Sequence, residues 1–241
     1  MKISEQNRIG EIVAKNYRTA SVFKSFGVDF CCKGQRTLQE VCEKDNIRKA
    51  ELLDALELSF AQESASDQNF NHWPIDLLVD YIEKTHHRYV RNRIPEILEY
   101  LDKLCKVHGK RYPELNPIKE LFQESCEALL SHMQKEEKIL FPRLRQLATI
   151  KNEEGMSEEL LQYIMTPIDV MRHEHDVEGN RFREISELAK GYVPPEAACA
   201  THRVTFSMLE EFEEDLHKHI HLENNILFPK ALRLKDKLAY A

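Results

Sequence analysis

One pattern occurs twice in this chain and limits what it can become. Residues 132–142 read His-Met-Gln-Lys-Glu-Glu-Lys-Ile-Leu-Phe-Pro and residues 219–229 read His-Ile-His-Leu-Glu-Asn-Asn-Ile-Leu-Phe-Pro, so both follow H-x3-E-x2-I-L-F-P. His132 and Glu136, like His219 and Glu223, are four residues apart, which on a helix places both side chains on one face within reach of one ion. Each copy is half a metal site. The proline six residues after each Glu removes a ladder donor and is expected to bend the helix just beyond the ligands. One further histidine precedes each copy at nearly equal distance, His87 by 45 residues and His175 by 44. The chain therefore reads as a duplicated helix pair. Antiparallel pairing predicts a four-helix bundle in which His87, His132, Glu136, His175, His219 and Glu223 meet at mid-height.

Such a core without metal would bury two carboxylates among imidazoles, at several kcal/mol per ion. Structural zinc favours Cys and His in a closed four-coordinate site, whereas mixed imidazole and carboxylate with bridging Glu suits iron or manganese. Four neutral His and two Glu around two divalent irons leave a net charge of about +2, which favours an added hydroxide, oxo bridge or anionic ligand. Six side chains leave coordination positions open, so the expected pair of non-haem irons should react as well as be stored. His87 is chosen over His86 because Val90, Ile94 and Leu98 share its face. Val79, Ile82 and Val90 also align with His86, which stays open as a neighbour of the ligands, a surface residue or a substitute. His173 is expected to be exposed, and His217 and His221 lack the spacing to Glu223. His72, His108 and His202 are read as surface or edge histidines.

The rest of the chain agrees with an all-α fold. Only 7 Gly occur among 241 residues that are 42% hydrophobic and 31% charged, which suits long helices and excludes an all-β fold. Residues 1–62 are expected to form a small helical domain with an apolar stripe through Ile9, Ile12, Val13 and Tyr17, a break at Gly27, a capping box at Thr37–Glu40 and a further helix signalled by Asn46. The polar run beginning at Gln62 marks a linker over 63–73, and the bundle is placed at 74–235. Breaks are expected at Gly109 to Pro117, Thr149 to Thr166 and Gly191 to Pro195. Pro74, Pro167 and Pro195 are read as residues of first helical turns, with Thr166 as an N-cap.

The net charge of -7 is mild and mixed, and no basic stripe suggests nucleic acid. The start has no apolar leader and no stretch is long enough to span a membrane, so a cytoplasmic location is expected. The six cysteines, at 31, 32, 42, 105, 126 and 199, follow no repeating spacing and are read as thiols.

At Asp29-Phe30-Cys31-Cys32-Lys33-Gly34, Ser131 to Glu137, Glu174-His175-Asp176 and His219 to Pro229 the chain resembles the repair-of-iron-centres family over nearly its whole length. That resemblance implies a small N-terminal domain followed by a hemerythrin-like four-helix bundle. It implies a µ-oxo or hydroxo-bridged di-iron centre, with His87, His132, His175 and His219 as imidazole ligands and Glu136 and Glu223 as bridging carboxylates. The implied function is repair of iron-sulfur clusters damaged by nitrosative or oxidative stress, through iron donation or nitric oxide binding or reduction. Damaged iron-sulfur proteins would be the partners and nitric oxide or oxygen the small ligands. Nitric oxide reductase-type redox activity would follow if the centre turns over. Cys31 and Cys32 are candidate redox thiols by resemblance; the alternative is packing beside a turn at Gly34. A competing reading is an oxygen, nitric oxide or iron sensor that reports through the N-terminal domain. A homodimer is left open.

Overall fold

The computed structural model describes residues 3–61, 69–150 and 158–239. Helix dominates and no strand occurs among them; the backbone pairing between Arg8 and Thr37 is an isolated bridge. The all-α expectation holds. The chain divides into two compact units, Met1–Leu78 with Leu147–Met156 and Ile220–Ala241, and Val79–Gln146 with Ser157–His219. The expected linker at 63–73 lies, up to residue 68, outside the described residues.

In the first unit, α1 (Ile9–Lys15), α2 (Thr19–Ser25), α3 (Leu38–Lys44) and α4 (Lys49–Ala61) surround a core of Ile9, Ile12, Val13, Phe23, Leu38, Val41, Leu52 and Leu56. Each of these larger side chains contributes about 1.5–3 kcal/mol by leaving water. Gly27 ends the α2 region at φ +69°, a conformation glycine adopts without a Cβ penalty. The capping box forms as expected: the Thr37 hydroxyl accepts from Glu40 N at 3.2 Å and Thr37 N donates to Glu40 Oε2 at 2.8 Å. Asn46 behaves differently from its assignment as a start signal. It sits at φ +53° directly after Asp45, the C-terminal cap of α3, so it reverses the chain before α4 begins. Short polar Asn tolerates that left-handed conformation, the same property that makes it a helix stop.

The final helix also contributes to this unit. Its segment from Ile220 passes through a π-helical turn, Glu223–Leu227, into a last helix Phe228–Ala239, and α1 packs on that turn. Asn225 is the contact point. Its side-chain amide donates to the carbonyls of Phe30 at 3.3 Å and Cys31 at 3.1 Å, and Asn224 adds a bond to Cys31 O at 3.3 Å. A Cβ on Gly10 or Gly34 would run into the Asn225 side chain, and at Gly34 it would also meet the backbone Phe30 O, so Gly34 in particular needs a residue without one.

The second unit carries the long helices. After α5 (Ile75–Tyr81), a π turn over Ile82–His87 leads into α6 (Arg88–His108). Then α7 (Leu115–Lys135) continues through a π turn at Glu136–Leu140 into α8 (Phe141–Thr149), followed by α9 (Glu158–Leu188) and α10 (Ala200–Leu222). The Phe228–Ala239 helix is α11. The buried residues of α6, Val90, Ile94, Ile97, Leu101 and Leu104, recur at three- and four-residue steps, and α7 does the same from Leu115 through Ile118, Phe122 and Leu129 to His132. The stripe that forms the core thus ends at a site histidine. α6 packs on α7 and α7 on α9, and Phe122, Phe182 and Phe212 form an aromatic layer with centroids 5.3–6.4 Å apart.

Two expected helix starts are displaced. α9 begins at Glu158 and runs through Pro167, so Thr166 is interior and caps nothing; residues 151–157 of the expected break lie outside the described residues. Ile164, Ile168 and Met171 are all buried on one stripe across the proline, and their burial favours continuing the helix past a missing donor. Pro195 stands in a turn closed by Ala198 N to Pro195 O at 2.9 Å, and α10 starts only at Ala200.

Candidate metal centre

Three of the segments bearing expected ligands leave α geometry at those residues. The π turns Ile82–His87, Glu136–Leu140 and Glu223–Leu227 contain His87, Glu136 and Glu223. In the two repeats the N–H of Phe141 bonds Glu136 O and that of Phe228 bonds Glu223 O, each five residues back. The next residue is Pro142 or Pro229, which has no N–H to give. The ladder therefore widens where the donor is lost, and the expected bend takes the form of a π turn.

Six side chains of the sequence pattern are buried: His87, Glu136 and Glu223 are 0% exposed, His219 1%, and His132 and His175 3%. His87 Nε2 lies 3.2 Å from Glu136 Oε2 and His132 Nε2 3.4 Å from the same oxygen. His175 Nε2 and His132 Nε2 are 3.1 Å apart, and the His87 and His219 rings have centroids 5.0 Å apart. Ligand atoms of His87, Glu136 and His219 lie within 4.8 Å of one another, as do those of His132, Glu136 and His175. Glu223 is buried and follows one turn after His219 on the same helical run. Glu136 is thus common to a pair of histidine groups.

The donor set fits a pair of metal ions. Two ligands at right angles, each about 2.1 Å from an ion, are about 3 Å apart, which the 3.1 and 3.2 Å separations match. Two imidazole nitrogens 3.1 Å apart can share a proton as a hydrogen bond or, with both lone pairs free, share a cation. Tautomers agree with this. His87 Nδ1 is 2.7 Å from Glu137 Oε1 and His132 Nδ1 is 2.8 Å from Glu174 Oε2. A carboxylate accepts the Nδ1 proton, which leaves the Nε2 lone pair of each ring facing the other donors.

Both supporting carboxylates are themselves held. Arg91 Nη2 donates to both oxygens of Glu137 at 2.7 Å, and Lys135 pairs with Glu174. Burial pushes the Glu137 carboxyl up, but hydrogen bonds from Arg91 and His87 outweigh it and hold it below its ordinary value. For Glu174 the hydrogen bond to His132 is the largest influence and, with Lys135, overcomes burial to bring it down to about 2. Glu137 and Glu174 lie within the motifs that carry the family resemblance, but the sequence assigns neither of them a role. Each is adjacent in sequence to a site residue, but its partner lies 50 or 42 residues away.

The remaining histidines divide clearly. His86 is buried beside the group, not on the surface: its Nδ1 is 2.9 Å from Asp215 Oδ1 and its ring stacks on His219 at 5.5 Å. Burial lowers its proton affinity despite Asp215. His173 is exposed, as expected. His202 is not a surface residue but 1% exposed, edge-on to Phe206 at 4.5 Å and Tyr112 at 5.3 Å. Its flat ring fills an aromatic niche that only the folded chain creates. His221 belongs to the first unit, where it accepts from Asn225 Nδ2 at 3.1 Å beside Tyr17 and Phe30, and burial pushes it down to about 3.

Cys31 and Cys32 form no disulfide; their sulfurs are 3.7 Å apart, Cys31 buried and Cys32 partly exposed. All six cysteines are unbridged. Cys126 is buried, and desolvation with the nearby Glu178 carboxylate pushes it up to about 12. No helix among the described residues is long and apolar enough to cross a membrane.

Comparison with known proteins places these features together. The hemerythrin HHE cation binding domain matches residues 78–231, and the ScdA_N domain, of unknown function, matches residues 5–59. The iron-sulfur cluster repair protein YtfE of Pectobacterium carotovorum is 36% identical over 225 residues, covering 93% of this chain and 96% of its own. YtfE of Yersinia pestis is 34% identical over 93% of this chain and 96% of its own length. The iron-sulfur cluster repair protein ScdA of Staphylococcus epidermidis is 29% identical over 95% of this chain and 99% of its own. With an ScdA_N domain ahead of a hemerythrin HHE domain and a duplicated His-Glu set at its core, the chain belongs to the family of iron-sulfur cluster repair proteins.

Proposed function

We propose that His87, His132, Glu136, His175, His219 and Glu223 hold two non-haem iron ions with an oxo or hydroxo bridge, and that the protein uses them to repair iron-sulfur clusters damaged by nitrosative or oxidative stress. The observation that carries this reading is a buried carboxylate, Glu136, within 3.4 Å of imidazole nitrogens from two other positions, with a second buried carboxylate one turn after His219. Relatives named as iron-sulfur cluster repair proteins align along almost the entire chain, which supports the same activity here.

When bound, the iron pair would supply redox and Lewis-acid chemistry toward small ligands such as nitric oxide or oxygen. The protein's own contribution is orientation and charge. Glu137 and Glu174 keep the Nδ1 protons of His87 and His132, so their Nε2 atoms stay basic toward metal. Arg91 and Lys135 keep those carboxylates ionised. Phe141 stacks on His87 at 5.5 Å and limits its rotation.

The test uses a purified iron-sulfur enzyme inactivated by nitric oxide. The iron-loaded protein should restore its activity, with two irons per chain before mixing. Equal recovery with the metal-free protein would refute repair through this centre.

A further inference from the structure

We propose that Asp29, Cys31 and Cys32 form a second, mononuclear site for a thiophilic divalent transition-metal ion. Their ligand atoms all lie within 4.8 Å of one another. In a tetrahedral site with metal–sulfur bonds of about 2.3 Å, two thiolates stand about 3.8 Å apart and a thiolate and a carboxylate oxygen about 3.6 Å apart. The Cys31 and Cys32 sulfurs are 3.7 Å apart, and Cys31 Sγ is 3.4 Å from Asp29 Oδ1. Two edges of the tetrahedron are already present. Adjacent cysteines close only a strained eight-membered disulfide ring, so a pair held at this spacing is better matched to a shared metal than to a stable bridge.

The surroundings hold this arrangement in place. Asp29 Oδ1 accepts from Cys32 N at 3.0 Å and Lys33 N at 3.5 Å, which sets the carboxylate against the thiol pair. Cys31 O accepts from Asn224 and Asn225 at 3.3 and 3.1 Å, so the loop is anchored at the residue that supplies the buried sulfur. Three protein ligands leave one tetrahedral position for water or an incoming ligand, the pattern of an exchanging site and not a closed structural one. Cys32 is partly exposed, which gives an ion a route in.

Binding is an acid-base exchange without oxidation. The two S–H bonds break, two protons pass to water, and two metal–sulfur bonds form while the ion keeps its charge.

The experiment titrates anaerobic Co2+ into the full-length protein after its bundle has been loaded with iron. One further ion per chain should bind with an intense sulfur-to-cobalt charge-transfer band, release two protons, and be displaced by Zn2+. The His and Glu donors of the bundle cannot give that band. Cys32→Ser, at the more exposed position, should abolish the two-thiolate band with helix content and bundle iron unchanged, and Asp29→Asn should weaken Co2+ binding at least about tenfold. Absence of a sulfur band, or its survival in Cys31→Ser/Cys32→Ser, overturns the proposal. Iron content of the bundle is measured separately, so its loss would count against the di-iron reading alone.

Discussion

His87 Nδ1 and Glu137 Oε1 lie 2.7 Å apart, and the same carboxylate is gripped by both its oxygens from Arg91. A site histidine is thus oriented by the residue next to Glu136 in sequence. Glu137→Gln keeps the shape but replaces an ionised acceptor with a neutral amide. Iron affinity should fall roughly 10–100-fold with helix content unchanged. Iron retention against a competing chelator checks this, and wild-type retention would remove Glu137 from the support of the site.

His132→Ala and Glu223→Ala each delete a buried donor of the proposed centre, and both should lose most of the iron. His202→Ala should keep it. Because His202 is buried against Tyr112 and Phe206, that variant should instead lose about 2 kcal/mol of stability. Metal analysis together with urea unfolding separates the two effects. Equal iron content in all three variants would undo the assignment.

The metal-free protein should weaken in acid in a defined window. Glu174 is held down to about 2 from an ordinary 4.5, so the folded state takes up its proton less readily than the unfolded chain. Its contribution is complete above about 4.5 and drains away as pH falls toward about 2. Urea midpoints across that range should drop more steeply for wild type than for Glu174→Gln. Parallel slopes would show that the His132–Glu174 pair adds nothing.

Gly34→Ala should destabilise the first unit by about 1–3 kcal/mol, because the new methyl would meet Phe30 O at 2.7 Å as well as the Asn225 side chain. Gly10→Ala meets only Asn225, a side chain that can give way, and should cost less. Thermal unfolding of both variants compares them. A harmless Gly34→Ala would mean that the loop carrying Cys31 packs less tightly against Asn225.

Cys126 should resist alkylation in the native protein at neutral pH, since burial and Glu178 push its thiol up to about 12 and leave almost no thiolate. Mass spectrometry after brief iodoacetamide treatment should find Cys126 unmodified until the chain is unfolded.

The duplicated His-x3-Glu pattern was readable from sequence because a spacing of four is a property of one helix, independent of what packs around it. The capping box at Thr37 and the turn at Gly27 were readable for the same reason, each resting on contacts or dihedrals within a few residues. Asn46 and Pro167 show where local signals become ambiguous. Asn favours both ends of a helix, and a proline that looks like a first-turn residue can be carried inside a helix when Ile164, Ile168 and Met171 are buried on one stripe across it. Placing His87 against Glu136 and His86 against Asp215 required the tertiary structure, since adjacent residues on a helix diverge by about 100° and both faces carried apolar neighbours. So did the pairing of His132 with Glu174, the burial of His202 and the seat of Asn225 on the Cys31 carbonyl. The sequence by itself determined which donors each helix offers, through short-range periodicity. Their partners were decided only by tertiary packing, because those contacts join residues far apart along the chain.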